Sequence, residues 1–127
     1  MEGKINKACG LDIHKLFFIA TILSRSGDKQ LQRFKRDDDG ILALKIWVTS
    51  EKCDVVACES TSDFWVPIYD SLIKHLPVIV RNARDIKAFT HKKTDKIDSE
   101  FIAQLALNNM IRASSLRRVV TTGMFVI

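Results

Sequence analysis

Four acidic residues occupy positions where their charge calls for an explanation. Asp12 lies inside ACGLDIHKLFFIATILSRSG (8–27), a run that otherwise reads as buried sheet. A lone charge there costs several kcal/mol or more to desolvate unless something pairs with it. Glu59 directly follows the apolar stretch DVVAC (54–58). Asp95 and Asp98 are three apart in KKTDKIDSEFIAQLAL (92–107), on one helical face with Ile102 and Leu105. That stripe must pack on a sheet, so the two acids are expected to look inward. Four carboxylates in one pocket raise one another's pKa unless cations neutralise them. Hard oxygen donors of this kind suit Mg²⁺ or Mn²⁺. Two such ions about 4 Å apart can activate a nucleophile and steady the leaving oxygen in phosphodiester cleavage or transfer. On this reading Asp12 is tolerated because it is a metal ligand. Two blander roles stand beside it: Glu59 as a solvated acid after a strand, and Thr94 or Asp95 as a helix cap.

The elements that must position these acids follow from patterning. Residues 7–13 and the apolar LFFIATIL (16–23) are β-prone, SRSGDK (24–29) has the Gly and Asp of a hairpin turn, and QLQRF (30–34) alternates with period two. Together they predict a three-strand antiparallel meander. Asp37, Asp38 and Asp39 open a helix whose apolar positions Ile41, Leu44 and Val48 recur at helical spacing. The helix start accounts for these aspartates better than a metal cluster does. DVVAC suits a strand buried on both faces. STSD (60–63) offers capping residues for a helix with the stripe Phe64, Ile68 and Leu72, and Pro67 implies an irregular first turn. PVIV (77–80) is a fifth strand, RNARDIKAFTHKK (81–93) has at most one helical turn, and residues 95–110 form the last helix. Trp47, Trp65, Phe64 and Phe101 fall at helical apolar positions and read as core.

Three antiparallel strands followed by alternating helices and strands match a mixed five-stranded α/β sheet with helices on both faces, the ribonuclease H-like arrangement. Right-handed crossovers put strand four parallel to strand one and beside it. Functional groups of open α/β sheets gather beyond the carboxyl ends of such strands, where Asp12 and Glu59 fall.

The 127 residues suffice for one domain, with no repeat or linker. No apolar run approaches the ~20 residues of a membrane span, and MEGK is no signal peptide, so an intracellular, cytoplasmic setting without membrane attachment is expected. Cys9, Cys53 and Cys58 sit in apolar runs without a CxxC pair and read as reduced core thiols. The net charge of +5 is uneven: residues 1–80 carry 11 basic and 11 acidic side chains, residues 81–127 carry 9 and 4. An anionic partner, nucleic acid first, is expected for the last third. Arg81, Arg84, Lys87, Lys92, Lys93 and Lys96 are its candidate phosphate contacts.

GLDIHK, VVACESTSDFWVPIYDSL, VIVRNARDIKAF and KKTDKIDSEFIAQLA resemble the N-terminal RuvC-like domain of the DEDD-type transposases of bacterial and archaeal insertion sequences, relatives of the Piv DNA invertases. The resemblance spans about residues 8–111, with 112–127 as a tail. It implies a catalytic and metal-binding tetrad of Asp12, Glu59, Asp95 and Asp98 and Mg²⁺-dependent cutting and rejoining of DNA in transposition. It further implies a homo-oligomer, a guiding RNA encoded by the element, and a nucleoid-associated location. Two departures stand out. His14 occupies a position where the family usually has a small hydroxyl residue. The family's C-terminal domain, source of a serine nucleophile, has no counterpart before Ile127, and Ser114 and Ser115 do not sit in its motif. Two other readings share these residues: a RuvC-like junction nuclease, and a non-catalytic nucleic-acid-binding or assembly module. A sugar-kinase-like ATPase, which also opens on a GLDI strand, lacks its phosphate-binding Gly loop here.

Overall fold

Alternation of apolar and polar residues sets the sheet. In the computed structural model, which describes residues 5–60, 63–82, 86, 98–108, 117–118 and 125–126, β1 (Lys7–Ile13), β2 (Phe17–Ser24) and β3 (Lys29–Lys35) form the expected meander. Gly27, at φ 107°, makes the turn between β2 and β3, where a side chain would be strained. β4 (Val55–Glu59) pairs parallel to β1, and β5 (Val78–Arg81) pairs parallel to β4, giving the order β3-β2-β1-β4-β5. This is the ribonuclease H-like mixed sheet.

One face of the sheet is covered by α1 (Asp38–Ser50) and α2 (Trp65–Leu72). Ile41, Leu44 and Val48 are all buried there, with Leu11, Phe18, Val56 and Cys58 from the strands. Trp47, Phe64 and Trp65 pack half-buried against this layer. Asp37 caps α1 by accepting from Gly40 N at 2.8 Å. Thr61 and Ser62 of the STSD stretch lie outside the described residues, and the N-cap position of α2 is Phe64, whose side chain makes no capping hydrogen bond. Pro67 is the third helical residue, where its missing N–H leaves no intrahelical bond unmade.

The other face carries α3 (Ser99–Leu107), which lies over β1, β2 and β4. Ile102, Leu105 and Ala106 bury against Ala8, Val55, Ala57 and Ile79, and Ile86 closes the same layer. Phe101 packs half-buried at its edge. A Cβ at Gly10 would collide with Ser99 O and Ala103 N, so glycine lets the helix backbone rest directly on β1. Beside it, Thr21 Oγ1 and Ser99 Oγ share a buried hydrogen bond of 2.7 Å. The last helix therefore starts four residues later than its apolar periodicity predicts. At the far end of the chain, β6 (Arg117–Arg118) and β7 (Phe125–Val126) pair antiparallel as a separate ribbon.

All three cysteines are buried and free, as expected of core thiols. Burial pushes the Cys58 thiol up to about 12, with the nearby Glu59 carboxylate adding to the effect. Burial likewise raises Cys53 to about 12 and lifts Cys9 well above its ordinary value. In the unfolded chain these thiols ionise near ~8.5. Their contribution to stability is thus intact below that pH and is lost as pH rises toward 12. Denaturant unfolding is expected to give midpoints that fall steadily above about pH 9, with a slope approaching about 1.4 kcal/mol per pH unit for each thiol. Midpoints unchanged from pH 8 to 11 would contradict buried thiols.

Candidate active site

The carboxyl ends of β1 and β4 meet at one corner of the sheet. Leu11 pairs with Cys58 in the parallel ladder, so the next residue on each strand is an acid, Asp12 and Glu59. Side chains alternate along strands. Ala8, Val55 and Ala57 face α3, so Gly10, Asp12 and Glu59 stand on that same side. The two carboxylates are thus cross-strand neighbours on one face, as adjacency of β1 and β4 requires.

The direction of α3 points its amino-terminal end toward this corner. Arg25, at the amino-terminal end of β1, donates from Nη2 to Leu107 O at 2.7 Å, which fixes the carboxyl end of α3 there. Ser99 touches Thr21, the partner of Gly10 across β1 and β2. The helix therefore runs antiparallel to β1 and points its amino end toward Asp12. Asp98 is the residue before it, with extended backbone (φ −127°, ψ 178°), and its Oδ1 accepts from Phe101 N at 2.9 Å.

This corrects the expected helical phase. Asp98 is not an inward-facing residue within a helix that begins at 95; it is an exposed N-cap. The physical reason lies in capping chemistry. An Asp followed by an apolar run satisfies the orphan N–H groups of the first turn, which ends the helix one residue beyond it. Capping does not exclude metal ligation, because the cap bond uses one of the two carboxylate oxygens. Asp95, together with Arg84, Lys87, Lys92, Lys93 and Lys96, lies outside the described residues. Arg81 ends β5, half-buried and in register with Glu59, so it is a strand residue of the same corner.

His14 was not expected to take part. Its Nε2 donates to Asp12 Oδ2 at 2.8 Å, with the Asp12 side chain only 16% exposed. The imidazole stacks on Phe17, ring centroids 4.6 Å apart and planes 21° from parallel. His14 N also donates to Phe17 O at 2.8 Å, closing the tight turn between β1 and β2. The i, i+2 spacing of Asp12 and His14 places both on one face of an extended segment, a signal that was present but reads as incidental for a single histidine.

The donor chemistry suits a hard divalent cation: carboxylate oxygens on neighbouring strands, with a third at the helix start. Among the described residues no three His, Cys, Asp or Glu side chains converge closely enough to hold an ion. A cavity of about 450 Å³, lined by Asn6, Arg25, Glu51 and Asp54 among others, opens at the opposite end of β1 and gathers none of these groups. Nor is any helix among the described residues long and apolar enough to cross a membrane.

Comparison with known proteins bears on the family and the fold. A family model described as Transposase, the DEDD type of the IS110 group, matches residues 9–120. Comparison with curated proteins gives no match. Among solved structures, the chain is similar to Fowlpox virus resolvase in complex with Holliday junction DNA, at 14% identity and a TM-score of 0.50, covering 84% of this chain and 99% of that one. A second structure of the Fowlpox virus Holliday junction resolvase aligns at 19% identity and 0.49, covering 82% and 96%. RNase H1 from the halophilic archaeon Halobacterium salinarum aligns at 10% and 0.36, covering 84% and 99%.

Proposed function

This chain belongs to the DEDD transposase family of the IS110 group, and from that premise we propose that its β1–β4 corner is the acidic, metal-dependent centre of a DNA-cleaving site. One observation carries the reading: Asp12 and Glu59 follow the paired Leu11 and Cys58 on adjacent parallel strands and stand on the same face. Such a pair is a good ligand set for a hard divalent cation. Asp12 and Glu59 would hold the ion or ions, with Asp98 and Asp95 completing the set implied by the family motif. A bound Mg²⁺ or Mn²⁺ would supply charge stabilisation at the phosphodiester oxygens. The chain's own contribution is to fix the acids. β1 and β4 set the spacing of two, Gly10 lets α3 approach, and the amino end of α3 would bring the third on metal binding. DNA is the proposed substrate, with Arg81, Arg84, Lys87, Lys92, Lys93 and Lys96 as positioning cations. A guiding RNA, an oligomer and a single catalytic domain across the chain are parts of the same proposal. The fold and the resolvase likeness keep a junction substrate in view as the second reading, one that shares every acid.

Incubating the protein with supercoiled plasmid tests this. Nicked circles are expected in Mn²⁺ and none in EDTA. Intact plasmid in Mn²⁺, under conditions where the protein is bound to the DNA, would overturn the proposal.

His14 then acts as a positioning residue for Asp12. Partners that orient a ligand typically affect metal affinity 10- to 100-fold. His14→Ala is expected to weaken Mn²⁺ binding by about tenfold. His14→Gln, whose amide can donate to the same oxygen, is expected to recover most of it. Equal affinities for the wild type and the alanine variant in a calorimetric titration would remove His14 from the account.

A further inference from the structure

The sheet face that carries Asp12 continues past α3 onto the edge strand, and its chemistry there is cationic. Arg33 pairs with Ile19 and Leu31 with Thr21. Thr21 meets Ser99 of α3. Alternation therefore puts Lys29, Leu31, Arg33 and Lys35 on the α3 side of β3. Among the described residues the helix lies mainly over β1, β2 and β4, and the Lys29–Glu100 ion pair at 3.3 Å links it to β3. All four residues are exposed, Leu31 to 59%.

This strip runs to the proposed site. The Arg33 guanidinium lies 3.8 Å over the Phe17 ring, Phe17 stacks on His14, and His14 holds Asp12. The turn between β1 and β2 adds exposed Lys15, whose carbonyl accepts from Arg36 Nη1 at 3.1 Å, pinning the turn. Arg33 and Lys35 are two residues apart on one face, about 6.7 Å along the strand. That spacing is close to that of successive phosphates on an extended nucleic-acid strand. Asp37, Asp38 and Asp39 follow on the α1 side of the sheet, so the strip itself bears no carboxylate from β3.

We infer that this face of β2 and β3, with Lys15, Arg33 and Lys35 as phosphate contacts, is a DNA-binding track that leads the substrate strand to Asp12. The inference rests on the proposed active site for its direction. Its charge complementarity and its continuity with Asp12 are what single out DNA as occupant. These cations lie in the charge-balanced first part of the sequence, so an overall excess does not reveal them. Because α3 lies mainly over β1, β2 and β4, they stay exposed on that sheet surface.

Fluorescence anisotropy of a short labelled DNA duplex, in EDTA and across a salt series, tests the track independently of any cleavage. The variant Lys15→Ala/Arg33→Ala/Lys35→Ala is expected to bind at least about tenfold more weakly near roughly 0.1 M salt. The slope of log affinity against log salt should shrink by about 2.7, roughly 0.9 for each phosphate no longer neutralised. Lys52→Gln/Lys74→Gln, which removes two exposed cations elsewhere, should bind as wild type does. A photo-crosslinking residue at Leu31 should capture the duplex, whereas one at Ile46 on α1, equally exposed at 58%, should not. Because this second readout leaves the three cations in place, it stands even if the triple variant misfolds. Wild-type affinity and slope in a folded triple variant, equal capture from both sites, or an effect confined to RNA of the same sequence would each overturn the inference. Intact DNA binding through this face with no nicking in Mn²⁺ would instead count only against the proposed active site.

Discussion

Asp12→Asn is expected to reduce Mn²⁺-dependent nicking by about 10³-fold. The substitution keeps the size and polarity of the side chain and removes only its charge. Metal-assisted stabilisation of a reacting phosphate is worth several kcal/mol, and each 1.36 kcal/mol is a factor of ten in rate. Glu59→Gln should behave alike, because its carboxylate is the cross-strand neighbour on the same face. DNA affinity in EDTA should hold or rise slightly in both, since each substitution removes a negative charge near the phosphates. Asp98 needs two variants, because it also caps α3. Asn is as good a cap as Asp, so Asp98→Asn isolates the charge; Asp98→Ala adds about 1 kcal/mol of lost helix stability. Plasmid nicking rates measured for all four variants, with melting curves alongside, check this. Asp12→Asn and Glu59→Gln variants that nick within a factor of two of wild type would remove the carboxylates from the chemistry.

Gly10→Ala should be strongly destabilising, because the added methyl has no room. The added Cβ meets backbone atoms, Ser99 O and Ala103 N, and neither can move without lifting α3 from β1. Overpacking of this kind costs about 1–3 kcal/mol, and backbone rather than side-chain obstruction favours the upper end. A loss of about 3 kcal/mol lowers the melting temperature by roughly 10 °C in a domain of this size. The same lift would draw Asp98 away from Asp12, so metal affinity should fall together with stability. Ala103→Gly in the same chain would not relieve the clash, which involves the backbone nitrogen of residue 103. A melting temperature within a degree or two of wild type would show that α3 is not seated as described.

Much of this was readable from residue order. Strand alternation and the apolar stripe Ile41, Leu44 and Val48 located β1 to β4 and α1 to within a residue or so, because a side chain's face is decided by local periodicity. The parallel neighbouring of β1 and β4 followed from crossover handedness, and with it the meeting of residues 12 and 59. The start of α3 was not readable in the same way. Apolar phase alone extends the helix back to Asp95, whereas the cap at Asp98 depends on which of several acids captures the first free N–H groups. For α2 the N-cap position falls on Phe64, one residue beyond the STSD stretch. His14 was legible only as a departure from the family pattern; that it bonds Asp12 needed the tight turn through Phe17. The edge strip of Arg33 and Lys35 was hidden for a different reason. Alternation in KQLQRFK is plain, but which face is left uncovered depends on where α3 ends.

The sheet is ribonuclease H-like and the family is that of the DEDD transposases, and Asp12 and Glu59 carry the functional proposal. Calorimetric titration of Mn²⁺ into the wild-type protein, with Asp12→Asn as comparison, measures that claim most directly. Saturable binding at millimolar Mn²⁺ or below is expected of the wild type. It should disappear in the variant, whose melting temperature stays close to wild type in the absence of metal. Identical isotherms for the two proteins would contradict a metal centre built on Asp12.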